Sequence, residues 1–135
     1  MKSLKLQTGS NLVEFALVLP LLLLLVFGIV DFSMALYDKA VVTNAVREGA
    51  RNGIVYDTTR LTEAQIEQLV RDYCDHKLIT FGSSTVIPNA HFSGSNSGDT
   101  LTVNVQFYYN YAVISKLIPS LQSLNLSATS VMRLE

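Results

Sequence analysis

From Leu12 to Val30 the chain is apolar apart from Glu14, and only Ala16, Pro20 and Gly28 interrupt its large aliphatic and aromatic side chains. A helix over this run would be roughly 28 Å long at 1.5 Å per residue, close to the hydrocarbon thickness of a bilayer. The run therefore predicts a transmembrane helix over 12–30; a buried helix of a soluble core is the weaker alternative for so apolar an N-terminal segment. Beyond it no proline occurs from Asp31 to Asn52, and the pattern becomes amphipathic. Asn44, Arg47, Glu48 and Arg51 fall at i, i+3, i+4 and i+7, one polar face of a helix. Val42, Ala45, Val46, Gly49 and Gly53 mark the opposite face, whose small residues would let a sheet or helix lie close. The helix is expected to stop at Asn52-Gly53.

A second helix is predicted from Glu63 to about Leu78. Thr62 and Gln65 suit a capping box, Leu61 a staple, and Ile66, Leu69, Val70, Tyr73 and Cys74 an apolar stripe. The last third carries the two-residue period of strands. Thr85–Ile87 is a short strand before Pro88, and residues 93–99 are a flexible polar loop. Leu101, Val103, Val105 and Phe107 alternate with Thr102, Asn104 and Gln106, and a tyrosine cluster at 108, 109 and 111 extends the strand. Ala112–Leu117 suggests a short helical crossover. Leu124, Leu126 and Ala128 alternate with Asn125, Ser127 and Thr129 as a final strand. The expected architecture is α+β: a long N-terminal hydrophobic helix with an extracytoplasmic extension, a second helix, and a small antiparallel sheet on the upper part of the first. Its divisions would be a short N-terminal stretch at 1–9, the long helix at 10–53 and an α+β domain at 54–135.

Charge changes the picture at the N-terminus. The formal net charge is −1, which offers no basic excess for nucleic-acid phosphate. Lys2 and Lys5 precede the apolar run, whereas Asp31 and Asp38 follow it. The positive-inside rule then places the N-terminus in the cytoplasm and the remainder outside. The single cysteine, Cys74, cannot form an intramolecular disulfide, and on the apolar stripe it reads as a core residue. His76 and His91 are isolated, and no phosphate-binding glycine loop or catalytic constellation is present. The chain reads as a non-enzyme with no metal, cofactor or small-molecule substrate.

Two residues are unusual for a plain anchor. Glu14 places a carboxylate in the apolar run, which costs about 2.5–3.5 kcal/mol at a helix centre and less near an interface. Pro20 withholds an N–H inside the helix and predicts a kink, which membrane helices tolerate.

The stretch Thr8-Gly9-Ser10-Asn11-Leu12-Val13-Glu14-Phe15 resembles the processing site of type IV pilins: a short basic leader, a glycine, then a hydrophobic helix with glutamate fifth from the cut. The resemblance implies a pilin-like architecture in which residues 1–9 are a leader, with cleavage between Gly9 and Ser10 by a membrane prepilin peptidase. Glycine before the scissile bond permits close backbone approach. Cleavage would free the Ser10 amine, with a reference pKa of about 8, about 6 Å along the helix axis from Glu14. In a bundle, the Ser10 ammonium of one subunit could meet the Glu14 carboxylate of a neighbour and favour one axial register. Residues 11–20, Phe27-Gly28-Ile29-Val30-Asp31-Phe32 and Arg47-Glu48-Gly49-Ala50-Arg51 are similar to TadE-like proteins. That resemblance implies a minor pilin (pseudopilin) of a tight-adherence Flp pilus. The implied partners are prepilin peptidase, other pilins and the membrane, and the implied location is the inner membrane as a single-pass protein. Arg47 and Arg51 either complement the negative end of the helix dipole or contact a partner pilin.

Two other readings remain open. One is a single-span anchor bearing an extracytoplasmic binding domain. The other is a secreted protein released by signal-peptide removal, with Ser33-Met34-Ala35 before a cut at Leu36. The mature N-terminus separates all three: Ser10, Met1 or Leu36.

Overall fold

The computed structural model describes residues 4–55, 60–80 and 85–134, with side chains described from Gly9 onward. Lys2 and the Lys5 side chain, on which the sequence-based orientation rests, lie outside the described residues. Among the described residues, six elements run in the order α1 (Leu4–Ile54), α2 (Glu63–Asp75), β1 (Val86–Phe92), β2 (Thr100–Asn110), α3 (Ile114–Leu117) and β3 (Ser123–Arg133). The fold is α+β, with one antiparallel sheet of order β1-β2-β3.

The 51 residues of α1 would extend roughly 76 Å, and the two halves of the helix meet different surroundings. Among the described residues none of 9–30 is buried. From Asp31 a buried stripe begins, through Asp31, Ala35, Asp38, Val42, Ala45 and Gly49 at alternating steps of four and three. That spacing keeps one helix face on the sheet and on α2. Asn44, Arg47, Glu48 and Arg51 lie on the opposite, exposed face, as the periodicity predicts.

Small residues on the buried stripe set how closely the layers approach. A Cβ on Gly49 would lie 2.4 Å from Cγ2 of Val70, and one on Gly53 would lie 2.4 Å from Cδ2 of Leu101. The sheet answers with Leu101, Val103, Val105, Phe107 and Tyr109, all fully buried. Burial of each such side chain is worth about 1.5–3 kcal/mol relative to exposure, so β2 is the main apolar contribution to the core.

The second helix starts as its sequence predicts. Thr62 N–H donates to Gln65 Oε1 at 2.9 Å and Gln65 N–H to Thr62 Oγ1 at 3.3 Å, a complete capping box. It ends at Asp75 rather than near Leu78, where residues 76–77 form a turn.

Strand β1 does not stop before Pro88 but runs through it to Phe92. Pro88 alternates with Asn89 and lies in phase with Ala90 and Phe92, whose N–H groups point away from β2. Those N–H groups donate to Glu67 Oε1 at 3.1 Å and Glu63 Oε1 at 2.9 Å on α2. A proline costs no ladder hydrogen bond at such an edge position. Its missing N–H and the two carboxylates together close this edge to further strand pairing. At the opposite edge, the Ser127 carbonyl of β3 accepts from Lys39 Nζ on α1.

At the end of the sheet far from the apolar run, the β1–β2 loop turns at Gly98, which holds φ +100°. Arg133 Nε donates to the Gly98 carbonyl at 3.1 Å, and Leu134 N–H to the Asp99 carbonyl at 2.7 Å. These bonds fasten the C-terminal strand to the loop.

Candidate assembly and anchoring site

The residues singled out by the sequence occupy two separate stretches of α1. Gly9, Ser10, Glu14 and Pro20 lie in its uncovered half and are all exposed. A Cβ at Gly9 would meet nothing within 4 Å among the described residues. Helix α1 spans the Gly9–Ser10 bond and continues through Pro20 without interruption. Arg47 and Arg51 lie 33 and 37 residues beyond Glu14 at the other end, exposed on the face turned away from the sheet. Arg51 is in the last turn, where a cation complements the helix dipole. Within one chain the structure brings Glu14 to no basic partner among the described residues.

Sequence reasoning missed two residues here. Asp31 and Asp38 read as ordinary polar residues after a membrane span, yet both are fully buried. Asp31 Oδ2 accepts from the backbone N–H of Val113 at 3.1 Å and of Ile114 at 2.9 Å, capping the start of α3 from another element. Tyr109 Oη donates to the Asp31 carbonyl at 3.4 Å. Burial pushes the Tyr109 hydroxyl up to about 12, helped by the Asp31 and Asp38 charges and by Tyr111. Tyr111 meets Tyr109 edge-on at 5.6 Å, so part of the tyrosine cluster is core packing; Tyr108 points outward.

Asp38 Oδ1 accepts from Ile79 N–H at 2.9 Å, while Oδ2 is buried with no hydrogen-bond partner among the described residues. Burial raises its pKa above 3.8, partly opposed by the Ile79 bond. A raised carboxyl pKa means that the folded state takes up the proton first as the pH falls. The cost of the buried charge is therefore fully present at neutral pH and disappears as the pH falls through the folded pKa towards 3.8. Asp38→Asn should accordingly unfold at an equal or higher denaturant midpoint than the parent at neutral pH. That advantage should shrink in a titration of the two midpoints downwards, and a constant offset would contradict it.

Cys74 is fully buried on the α2 stripe, and its thiol is pushed up to about 11 by burial and by the Asp75 and Asp38 charges. It is a core residue rather than a nucleophile. His91 approaches Glu63 at 3.5 Å on the surface, and His76 Nδ1 lies 2.9 Å from the Asp72 carbonyl. Among the described residues no group of three His, Cys, Asp or Glu is placed to hold a metal ion.

One helix among the described residues, at the N-terminus, is long and apolar enough to cross a membrane, and its apolar window is unburied. A single-span anchor is consistent with that geometry. Residues 9–51 match the family described as TadE-like protein, and the chain carries a TadE-like family domain over that segment. The family is pilus-related and non-enzymatic, which implies a Tad-pilus-associated protein. No curated protein and no solved structure matches the chain.

Proposed function

We propose that this chain is a minor pilin, or pseudopilin, that takes part in assembling a Flp/Tad-type pilus after prepilin peptidase cuts behind Gly9. The observation that carries this reading is the TadE-like match at 9–51, which begins at that glycine. It joins an uncovered apolar helix with one carboxylate, Glu14, to a folded domain that starts to pack only at Asp31. Residues 12–30 anchor the chain, residues 1–9 lie in the cytoplasm, and the domain lies outside. Cleavage liberates the Ser10 ammonium, and Glu14 of a neighbouring pilin receives it. Pro20 lets the helix bend as it leaves the bilayer for the filament. Arg47 and Arg51, exposed at the top of α1, meet the partner pilins. A secreted product starting at Leu36 fits less well, because it would lose Asp31 and with it the bonds that hold residues 113–114.

The test is co-expression of the precursor with a prepilin peptidase. The parent chain should shift in mass to the Ser10 product. Gly9→Val should stay uncut or be cut far more slowly, because a branched side chain blocks backbone access and stiffens the turn. Cleavage of Gly9→Val at the parental rate would remove the assigned site.

A further inference from the structure

Strand β2 runs down α1 towards the apolar run. Leu101 sits against Gly53, Val103 near Gly49, and the Tyr109 hydroxyl reaches the Asp31 carbonyl. The connection from β2 to β3 therefore leaves the sheet at the level where the apolar run ends. Asp31, the first residue past that run, fixes the height by accepting from Val113 and Ile114 N–H.

The far side of that connection is apolar and uncovered. Leu117 is 54% exposed, Ile118 36% and Leu121 48%. Residues 111–122 contain one charge, Lys116, and no acidic side chain. On α1 at the same level, Phe32 and Leu36 are also exposed. The opposite end of the sheet is different in kind: its loop, residues 93–99, consists of Ser, Gly, Asn and Asp. Val131 and Val55 are exposed singly toward that opposite end, whereas Leu117, Ile118 and Leu121 sit together on one connection beside the helix that leaves the proposed span.

We propose that the β2–β3 connection is a second membrane contact, in which Leu117, Ile118 and Leu121 seat in the headgroup–acyl boundary of a bilayer with Lys116 against anionic headgroups. Lipid is the occupant because the Asp31 tie places this surface where the span emerges, and because aliphatic side chains around a cation match interfacial chemistry. The proposal rests on reading residues 12–30 as a span. Its consequence is orientation: one contact would leave the domain free to tilt about α1, whereas two fix which face of α1 and of the sheet looks along the membrane plane.

The test uses the full chain in phosphatidylethanolamine–phosphatidylglycerol vesicles. A polarity-sensitive fluorophore is attached to single cysteines on a Cys74→Ala background, at Leu24→Cys, Ile118→Cys, Leu121→Cys or Ser95→Cys. Quenching is compared between lipids bearing nitroxides at shallow and at deep acyl positions. The expected result is deep quenching at position 24, shallow quenching at 118 and 121, and none at 95. Quenching at 24 but not at 118 or 121 would overturn the proposal and leave the span intact. An absence of quenching at 24 would overturn both. Shielding at 118 and 121 that grows with protein density, without lipid quenching, would assign the surface to a second copy of the chain and overturn the lipid contact.

Discussion

Cells whose only copy carries Glu14→Gln are expected to make few or no pili, although the variant inserts, is cut and folds as the parent does. Glu14 is exposed on the uncovered half of α1, more than four turns below the first buried residue, Asp31. Nothing in the folded domain depends on it. Gln keeps the shape and the hydrogen-bonding capacity and removes only the charge. In lipid an unpaired carboxylate costs about 2.5–3.5 kcal/mol at the most unfavourable depth, so pairing with the Ser10 ammonium of a neighbour could recover energy of that order. About 3 kcal/mol corresponds to more than a hundredfold in association, enough to decide whether subunits join in register. The amine exists only after cleavage, so processing would switch the attraction on. Pilus counts and co-purification of partner pilins are the measurements, with maturation checked by mass. Normal pili at normal protein levels would reduce Glu14 to an interfacial side chain.

Asp31→Ala is expected to cost about 2 kcal/mol or more of stability, because it leaves the Val113 and Ile114 N–H groups without their acceptor. Asp31→Asn retains an acceptor oxygen and should lose less. The measurement is the denaturant midpoint of the full chain in detergent, monitored by far-ultraviolet circular dichroism. Equal midpoints for Ala and the parent would mean that the α3 cap contributes nothing. Proteolysis gives a second readout: the 111–122 connection should become the preferred cutting site in the Ala variant, since Asp31 is what ties it to α1.

The physical origin of each feature explains which of them the sequence could reveal. The amphipathic half of α1 was legible because periodicity is local: Val42, Ala45, Val46 and Gly49 turn inward wherever the partner lies. The Thr62–Gln65 cap and the alternation through β2 were legible for the same reason. Asp31 and Asp38 were not, because their partners are backbone N–H groups 82 and 41 residues away, and no local pattern marks a carboxylate as buried. Pro88 misled in the other direction. A proline ends a central strand, but whether β1 lies at an edge depends on the sheet order, which emerges only once β2 pairs on both sides. The candidate site itself, Gly9, Ser10 and Glu14, is legible as a motif and barely at all as a structure. Those residues are exposed along a bare helix, and the chemistry assigned to them requires a peptidase and a second pilin.

Whether the chain is a processed pilin is decided most directly by its N-terminal residue in protein recovered from membranes and pili of cells that contain a prepilin peptidase. Mass spectrometry of the intact chain and of its first peptide reads that residue. The mature protein is expected to begin at Ser10. A chain that keeps Met1, or one that begins at Leu36, would contradict the pilin assignment.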